Sequence, residues 1–233
     1  KWTYVYFPTN ADAQEAGMSL SDWEEFVFNA CLVNKRDPVK EWKRLRDRQK
    51  RIVGLLARIR RLRFLSKDTD LSMSVRGRTW INSYGAQNMP DGEVFTSPVE
   101  NSLHGTIAFS FPSERQGRIV SDIRLAFKEG KVVKATASQN EQLLHAALNT
   151  DRGSKFSGEI SFGMNPGIRR FVHNTLFDEK IDGTIHLALG NSYGDAGGRN
   201  KSAVHWDMVT DMRSEGEVYG DGKLIYRKGK FLF

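Results

Sequence analysis

The sequence feature that most constrains the fold is a series of short runs, starting near residue 61, in which apolar and polar residues alternate. Examples are LRFLSKD, DLSMSVRG, GTIAFSF, DIRLAFKEGKVVKATAS and GEISFGM, separated by turns rich in Gly, Asn, Asp and Pro. Alternation with a period of two is typical of strands that bury one face. One segment, residues 140–148, has a helical pattern instead, and residues 217–233 predict a hairpin. We therefore predict a β-rich, mostly antiparallel domain over residues 61–233.

The first 60 residues follow a different pattern. Residues 2–7 (WTYVYF) predict a buried strand, and Ser21 with Glu24 matches a capping box at the start of a helix of about a dozen residues. Asp37 and Pro38 fit the N-cap and the first position of a second helix. With no partner strand nearby, we expect residues 1–60 to be the remnant of an N-terminal α/β domain. The predicted fold class is therefore α/β (α+β).

Positive charge is concentrated in the second of these helices. The chain has a net charge of +7, yet residues 35–63 alone hold 13 Lys or Arg against 3 acidic residues, a net of +10. Apolar residues recur there near a 3.6-residue period, so one stripe of the helix is apolar and the rest is basic. A solvated surface helix is the first interpretation, and phosphate binding by a basic nucleic-acid-binding module is the alternative. Because no base-reading or stacking motif accompanies the charge, no nucleic-acid partner is expected.

Several classes of protein are not supported by the sequence. No apolar run is long enough for a membrane-spanning helix, and no signal peptide is recognisable. Cys31 is the single cysteine, so an internal disulfide and a multi-cysteine metal cluster are excluded. These features predict a cytoplasmic protein with no membrane partner. The short motifs of zinc helices, nucleophile elbows and phosphate loops are also missing.

What remains is a set of residues that could bind metal, each within a strand-like segment. They are Glu93, Glu159, His186, His205 and Asp207. His205 and Asp207 are two apart, so in a strand both side chains point to the same face. Each residue alone also has an ordinary interpretation: a surface ion pair for the acidic groups and a hydrogen-bonded core histidine for the imidazoles.

Taken together, three carboxylates and two imidazoles form an oxygen- and nitrogen-rich set that suits Zn, Co or Mn. Five ligands are enough for two divalent ions. Two neighbouring ions can lower the pKa of a bridging water and polarise a carbonyl group. The set is therefore compatible with amide hydrolysis by a two-metal-activated hydroxide.

Four separated segments carry a resemblance to a known family. They are NMPDGEVFTSPVE, GEISFGMNPGI, GTIHLALGNSYGDAGGRNKSAVHWDMV and DGKLIYRKGKF. In order and spacing they resemble the C-terminal catalytic part of the thermophilic metalloaminopeptidases, the family of aminopeptidases T and S. The resemblance is clear over residues 75–233, and the preceding segment is similar as well.

The resemblance implies an aminopeptidase that removes N-terminal residues from peptides with a free N-terminus. It implies that the five residues above are the metal ligands and that Tyr193 is catalytic, in a position to donate a hydrogen bond to the oxyanion. One ion is expected to bind the substrate α-amine, Glu159 is the favoured general base, and the loop with Asn191 and Arg199 is expected to line the pocket.

The family resemblance also implies a homodimer. Family members are longer and carry a further N-terminal α/β domain. An alternative is therefore a folded metal-binding fragment that is inactive without that domain.

Overall fold

The structure is a computed structural model that describes residues 2–232. Within these residues the helices are α1 (Asn10–Glu15), α2 (Leu20–Ala30), α3 (Pro38–Leu56), α4 (Glu141–Leu148) and α5 (Thr175–Asp178). The strands are β1 (Tyr4–Val5), β2 (Arg61–Ser66), β3 (Thr69–Ser74), β4 (Ile81–Ser83), β5 (Asn88–Met89), β6 (Glu93–Thr96), β7 (His104–Ala108), β8 (Ser113–Arg115), β9 (Arg118–Val120), β10 (Arg124–Lys128), β11 (Lys131–Thr136), β12 (Ser157–Gly163), β13 (Thr184–Gly190), β14 (His205–Asp211), β15 (Glu217–Gly220), β16 (Lys223–Arg227) and β17 (Lys230–Phe231).

Two antiparallel sheets form most of the molecule. The larger has eight strands in the order β11-β10-β7-β3-β2-β15-β16-β17, and the smaller has five in the order β14-β13-β12-β6-β4. A short parallel pair, β1 with β5, and the hairpin β8–β9 complete the strands of the described residues. The predicted class, α/β with mostly antiparallel strands, is confirmed, and so is the hairpin at the C-terminal end.

The main hydrophobic core lies between the two sheets. In β2, Leu62 and Phe64 are buried while Arg61 and Arg63 are exposed, the alternation expected of a strand with one wet face. Phe64 meets Phe162 of β12, with 6.0 Å between the ring centroids. Strands β12 and β13 are buried along their whole length, so their second face is covered as well. This second face is the one that carries polar side chains.

Helix α3 packs on the main core, whereas α1 and α2 build a smaller one. Leu45, Ile52 and Leu56 of α3 belong to the cluster between the sheets. Trp23 of α2 packs instead with Phe177, 5.3 Å away between ring centroids. The apolar stripe of the basic helix α3 therefore packs against the two sheets. The domain boundary between residues 60 and 61 stays a prediction.

Of three local predictions for the first 60 residues, two are wrong and one is confirmed. The first strand is only two residues long and its side chains are exposed, so it is not a buried strand. The N-cap of α2 is Ser19, whose hydroxyl accepts a hydrogen bond from the backbone N–H of Asp22, and not Ser21. The N-cap Asp37 and Pro38 of α3 are confirmed.

The basic face of α3 is partly neutralised within the molecule. Arg44 pairs with Glu41, Arg46 with Asp47, and Arg48 lies 3.5 Å from Asp182. All of these side chains are partly solvent-exposed, which agrees with a solvated helix face. None of the helices in residues 2–232 combines the length and the apolar character needed to span a membrane.

Candidate metal centre

The five predicted ligands lie on four neighbouring strands of the smaller sheet. Glu93 begins β6, Glu159 lies in β12, His186 in β13, and His205 and Asp207 in β14. Ala188 of β13 is paired with Glu159 on one side and Asp207 on the other, and Ser161 of β12 is paired with His186. Paired residues, and residues two apart in one strand, share a face of the sheet. Strand register therefore brings the five side chains together, above the small side chains of Ala188 and Ser161.

Glu93, Glu159 and His186 form the first group that could hold an ion. The Nε2 atom of His186 lies 3.4 Å from Oε1 of Glu159 and 3.5 Å from Oε2 of Glu93. All three side chains are buried. Each can therefore offer a ligand atom to a cation that is shielded from bulk water.

Glu159, His205 and Asp207 form the second group. The Nε2 atom of His205 lies 3.4 Å from Oε2 of Glu159 and 3.5 Å from Oδ2 of Asp207. His205 is more exposed than the other ligands, so this group lies nearer to solvent than the first. Glu159 belongs to both groups, with one carboxylate oxygen near each imidazole. Each of its two oxygens could therefore serve as a ligand, one in each group.

The imidazoles carry protons when no ion balances the carboxylates. Burial opposes the charge of His186 and His205, but contacts with Glu159 and the charges of Asp207 and other carboxylates raise the pKa of each to about 10. Burial also disfavours the charge of Glu159, but these two imidazoles lower its pKa to about 2. Burial raises the pKa of Glu93 to about 8. The charges of these groups therefore depend on one another, and a bound divalent cation would change their protonation.

Asp207 provides an independent sign that the site takes a cation. Its Oδ1 atom is buried and has no hydrogen-bond partner, and the nearest imidazole nitrogen, Nε2 of His186, is 3.7 Å away. A buried carboxylate oxygen without a partner is costly unless a metal or a donor satisfies it. Since the surrounding donors are carboxylate oxygens and imidazole nitrogens, the residues fit Zn, Co or Mn.

Backbone carbonyls orient both imidazoles. The Nδ1 atom of His186 lies 3.0 Å from the carbonyl oxygen of Glu179, and that of His205 lies 2.9 Å from the carbonyl oxygen of Asn191. Because Nδ1–H donates to a carbonyl in each case, Nε2, which faces the carboxylates, is the nitrogen that would give up its proton to bind a metal. Ser161 adds a hydrogen bond from its hydroxyl to Oε2 of Glu93, at 2.8 Å.

Tyr193 lies at the edge of this cluster. Its hydroxyl is 3.5 Å from Nε2 of His205, and its ring packs edge-on against the His205 ring and beside Phe95. Burial and the charges of Glu159 and Asp207 raise the pKa of its hydroxyl above the usual value. The phenol therefore keeps its proton and can act as a hydrogen-bond donor.

Hydrogen bonds to neighbouring side chains fix the loop that carries Tyr193. Glu100 accepts hydrogen bonds from the backbone N–H of Arg199 at 2.7 Å and from the guanidinium of Arg78 at 2.6 Å. Ser97 accepts a hydrogen bond from the backbone N–H of Tyr193. Gly198 packs so tightly that a Cβ atom would lie 2.5 Å from Ser192. The loop is thus held in one position beside the second group.

Two residues that the sequence reasoning missed complete the cluster. Glu179 joins His186 and Asp207 in a third group of possible ligands. Lys180 is completely buried and forms ion pairs with Glu179 and, at 3.4 Å, with Glu93. Both residues lie in the connection between α5 and β13, which has no strand alternation, so periodicity did not indicate them. The one sequence feature that could have indicated them is an acidic residue next to a basic residue just before a buried strand.

The remaining histidines lie outside the three groups. His104 accepts a long hydrogen bond from the backbone of Glu129, His145 lies 3.8 Å from Glu141 on α4, and His173 packs against Phe171. None of them belongs to a possible ligand group within residues 2–232, and their exclusion from the ligand set stays a prediction.

Comparison with known proteins relates the chain to one family of metalloproteases. Residues 1–231 match the family described as thermophilic metalloprotease (M29). Aminopeptidase PepS of Streptococcus thermophilus is 30% identical in a match that covers 100% of this chain and 63% of the relative. Aminopeptidase T of Thermus thermophilus is 29% identical, with coverage of 99% and 63%. The chain therefore spans somewhat less than two thirds of the length of these relatives.

Two solved structures have a similar fold. The wild-type AmpT structure from Thermus thermophilus superposes with a TM-score of 0.80 at 27% identity, over 92% of this chain and 59% of that chain. A 2,5-dihydroxypyridine dioxygenase from Pseudomonas putida gives a TM-score of 0.65 at 19% identity over 84% of this chain and 63% of that chain, a likeness of fold alone.

Proposed function

The chain belongs to the thermophilic metalloprotease (M29) family, and from that premise we propose that it is a metal-dependent aminopeptidase, or the catalytic part of one. Its substrates would be peptides with a free N-terminus, and the reaction would be hydrolysis of the first peptide bond. The observation that carries the proposal is the position of Glu159, which lies between two imidazole-carboxylate groups on one face of a sheet. Relatives named as aminopeptidases support the choice of substrate.

Two divalent ions, Zn, Co or Mn, are proposed as cofactors. Glu93, Glu159 and His186 would hold one, and Glu159, His205 and Asp207 the other. When bound, such ions supply an activated water and polarise the scissile carbonyl group. Burial of the ligands excludes bulk water from most of the site and strengthens its electrostatic interactions.

Tyr193 is proposed to act on the substrate directly. Its protonated hydroxyl lies beside the second group, so it can donate a hydrogen bond to the oxygen that becomes negatively charged during attack on the carbonyl. Removal of such a donor costs about 100- to 1000-fold in kcat. Tyr193→Phe, which keeps the ring that packs on His205, is the variant that isolates this hydrogen bond.

The general-base role of Glu159 stays a prediction. Because each of its oxygens faces a different imidazole, Glu159 is also suited to bridge the ions. Glu159→Gln separates the two roles. A variant that keeps both ions and loses activity would support the base, whereas a variant that loses metal would support the bridge.

The proposed function is tested by metal content and activity together. We expect close to two ions per chain by elemental analysis, and hydrolysis of leucine p-nitroanilide that disappears on chelation and returns on addition of Zn, Co or Mn. His205→Ala should lower both metal content and activity.

Other outcomes favour the alternatives. Two ions without hydrolysis would favour an inactive metal-binding fragment, which the 63% coverage of the relatives leaves open. Salt-sensitive binding to nucleic acid that survives chelation, with no metal bound, would favour the basic module of α3. A cytoplasmic location and a homodimer stay predictions.

A further inference from the structure

Lys180 is a buried cation beside the first group of ligands, and the proposed function gives it no role. Its side chain has no exposed surface, and its ammonium group forms ion pairs with Glu179 and Glu93. A buried ammonium group is costly unless carboxylates surround it. Burial opposes the charge of Lys180, but the charges of Glu179, Glu93 and Asp91 raise its pKa above the usual value. Lys180 is therefore an ammonium group at neutral pH.

The two carboxylate oxygens of Glu93 have different partners. Oε1 lies 3.4 Å from Nζ of Lys180. Oε2 accepts the hydrogen bond of Ser161 at 2.8 Å and lies 3.5 Å from Nε2 of His186. Oε2 is therefore the oxygen that lies beside the imidazole of the first group, whereas Oε1 is paired with a fixed positive charge.

Glu93 has little freedom to change this arrangement. Its side chain is buried, and its backbone carbonyl accepts a hydrogen bond from the amide of Gln49 at 2.6 Å. To offer both oxygens to one ion, the carboxylate would have to turn Oε1 away from Lys180. That movement would leave a buried ammonium group with one carboxylate partner fewer, which is strongly destabilising. The ion pair therefore favours coordination through one oxygen of Glu93.

We propose that Lys180 restricts Glu93 to coordination through Oε2 alone, and that this restriction makes the first group favour Zn over Mn. The inference rests on the proposed function and specifies the metal preference of that site. A carboxylate that binds through one oxygen supplies one ligand atom, whereas one that binds through both supplies two. Zn in proteins usually has four ligands, whereas Mn prefers six, mostly oxygens. Lys180 is thus a positioning residue that acts on the ion through Glu93.

A purely structural role for Lys180 gives a different result. If Lys180 only balances the charge of Glu93 and Glu179, its replacement changes the affinity for Zn and for Mn by the same factor. The two ions carry the same charge, so the electrostatic effect of removing an ammonium group cancels in the ratio of their Kd values. A change in that ratio therefore reports on the number of ligand atoms.

The test measures this ratio for a set of matched variants. Zn is titrated by calorimetry into the Mn-loaded chain for wild type, Lys180→Met, Lys180→Gln and the control Lys50→Met, the same change at an exposed lysine on α3. In Lys180→Met the preference for Zn should fall by about tenfold at one of the two ions, since partners of metal ligands have effects of about 10- to 100-fold. Lys180→Gln keeps an N–H donor for Oε1 and should lose less. Lys50→Met should match wild type.

A crystal structure of the Zn-loaded wild type gives a second measurement, which does not depend on the folding of a variant. Oε2 of Glu93 should lie at the Zn–O distance of about 2.0–2.2 Å, with Oε1 still facing Lys180. Three results would overturn the inference: both oxygens at that distance from one ion, an unchanged ratio in Lys180→Met, or an equal change in Lys50→Met. Because Zn binds more tightly than Mn at most sites, the change in preference carries the test, and not the preference itself.

Metal binding needs no turnover, so this inference and the proposed function can fail separately. The expected change in ratio without any hydrolysis of peptides refutes the proposed function alone. Hydrolysis with an unchanged ratio in Lys180→Met refutes this inference alone. A wild type that binds neither ion refutes both.

Discussion

Ser161 is a residue through which the sheet controls a ligand. Its hydroxyl donates a hydrogen bond to Oε2 of Glu93 at 2.8 Å, and its side chain is completely buried. Since partners of metal ligands orient the ligand, Ser161→Ala should weaken metal binding by about 10- to 100-fold without removing a ligand. Calorimetric titration with Zn tests this. The control is Ser154→Ala, another buried serine, whose hydroxyl bonds to backbone carbonyls of Leu148 and Asp151; equal losses in both variants would contradict the prediction.

The protonated state of His186 and His205 predicts a pH dependence of metal binding. Contacts with carboxylates raise the pKa of both imidazoles to about 10 in the metal-free protein, so both carry a proton at neutral pH. A metal ligand must be deprotonated, so each ion has to displace a proton. Apparent metal affinity should therefore rise with pH between about 6 and 8, by up to about tenfold per unit for each displaced proton. Titrations in buffers with different ionisation enthalpies count the protons released, and a pH-independent affinity would be inconsistent with this protonation state.

Among the elements, α3 is joined to the site by one buried side chain. The amide of Gln49 donates hydrogen bonds to the carbonyl oxygens of Glu93 at 2.6 Å and Ser83 at 2.7 Å, and it is completely buried. Gln49→Ala removes these hydrogen bonds at a completely buried position, so it should lower the free energy of unfolding by about 1–3 kcal/mol. Urea denaturation measures the change. Lys50→Ala, at the neighbouring exposed position, should have an effect below about 0.5 kcal/mol; similar values for both would show that the bonds contribute little.

The loop with Tyr193 depends on Glu100, which binds Arg78 and the backbone of Arg199. Glu100→Gln keeps the size of the side chain but weakens both bonds, so the loop should become less well positioned. We expect kcat to fall by about tenfold, because small displacements of a group that acts on the transition state are costly. Metal content should not change, since Glu100 contacts no proposed ligand. A fall in metal content, or the same kcat effect in Glu25→Gln, would point to a general destabilisation instead.

For the whole molecule, metal should be part of the stability of the fold. Ligands from four strands surround the site, so an ion bound there stabilises the folded chain and has no equivalent site in the unfolded one. An ion at about 100 times its Kd adds about 2.7 kcal/mol, which should raise Tm by several degrees. Thermal unfolding with chelator and with Zn measures the shift. His205→Ala should show a smaller one, and an equal shift in that variant would place the stabilising ion elsewhere.

Local features of the sequence predicted some elements well and left others ambiguous. Asp37 and Pro38 were correctly assigned to the start of α3, since a capping aspartate followed by proline is specific. Both Ser19 and Ser21 are followed three residues later by an acidic residue, so the capping pattern matched twice and only the backbone geometry chose Ser19. The short helices α1 and α5 were not predicted, because four to six residues are too few for a period of 3.6 to be visible.

By itself, the sequence determined that the secondary structure of residues 61–232 is mostly antiparallel strands and that His205 and Asp207 share one face, because the two-residue period of a strand is visible in each short segment. The tertiary structure alone decided that β6, β12, β13 and β14 are neighbours in register, and that Glu159 lies between the two imidazoles. It also brought Glu179 and Lys180 into the site from a connection without periodicity. The physical reason is that alternation is a local property, whereas register and strand order arise from contacts between residues far apart in the chain.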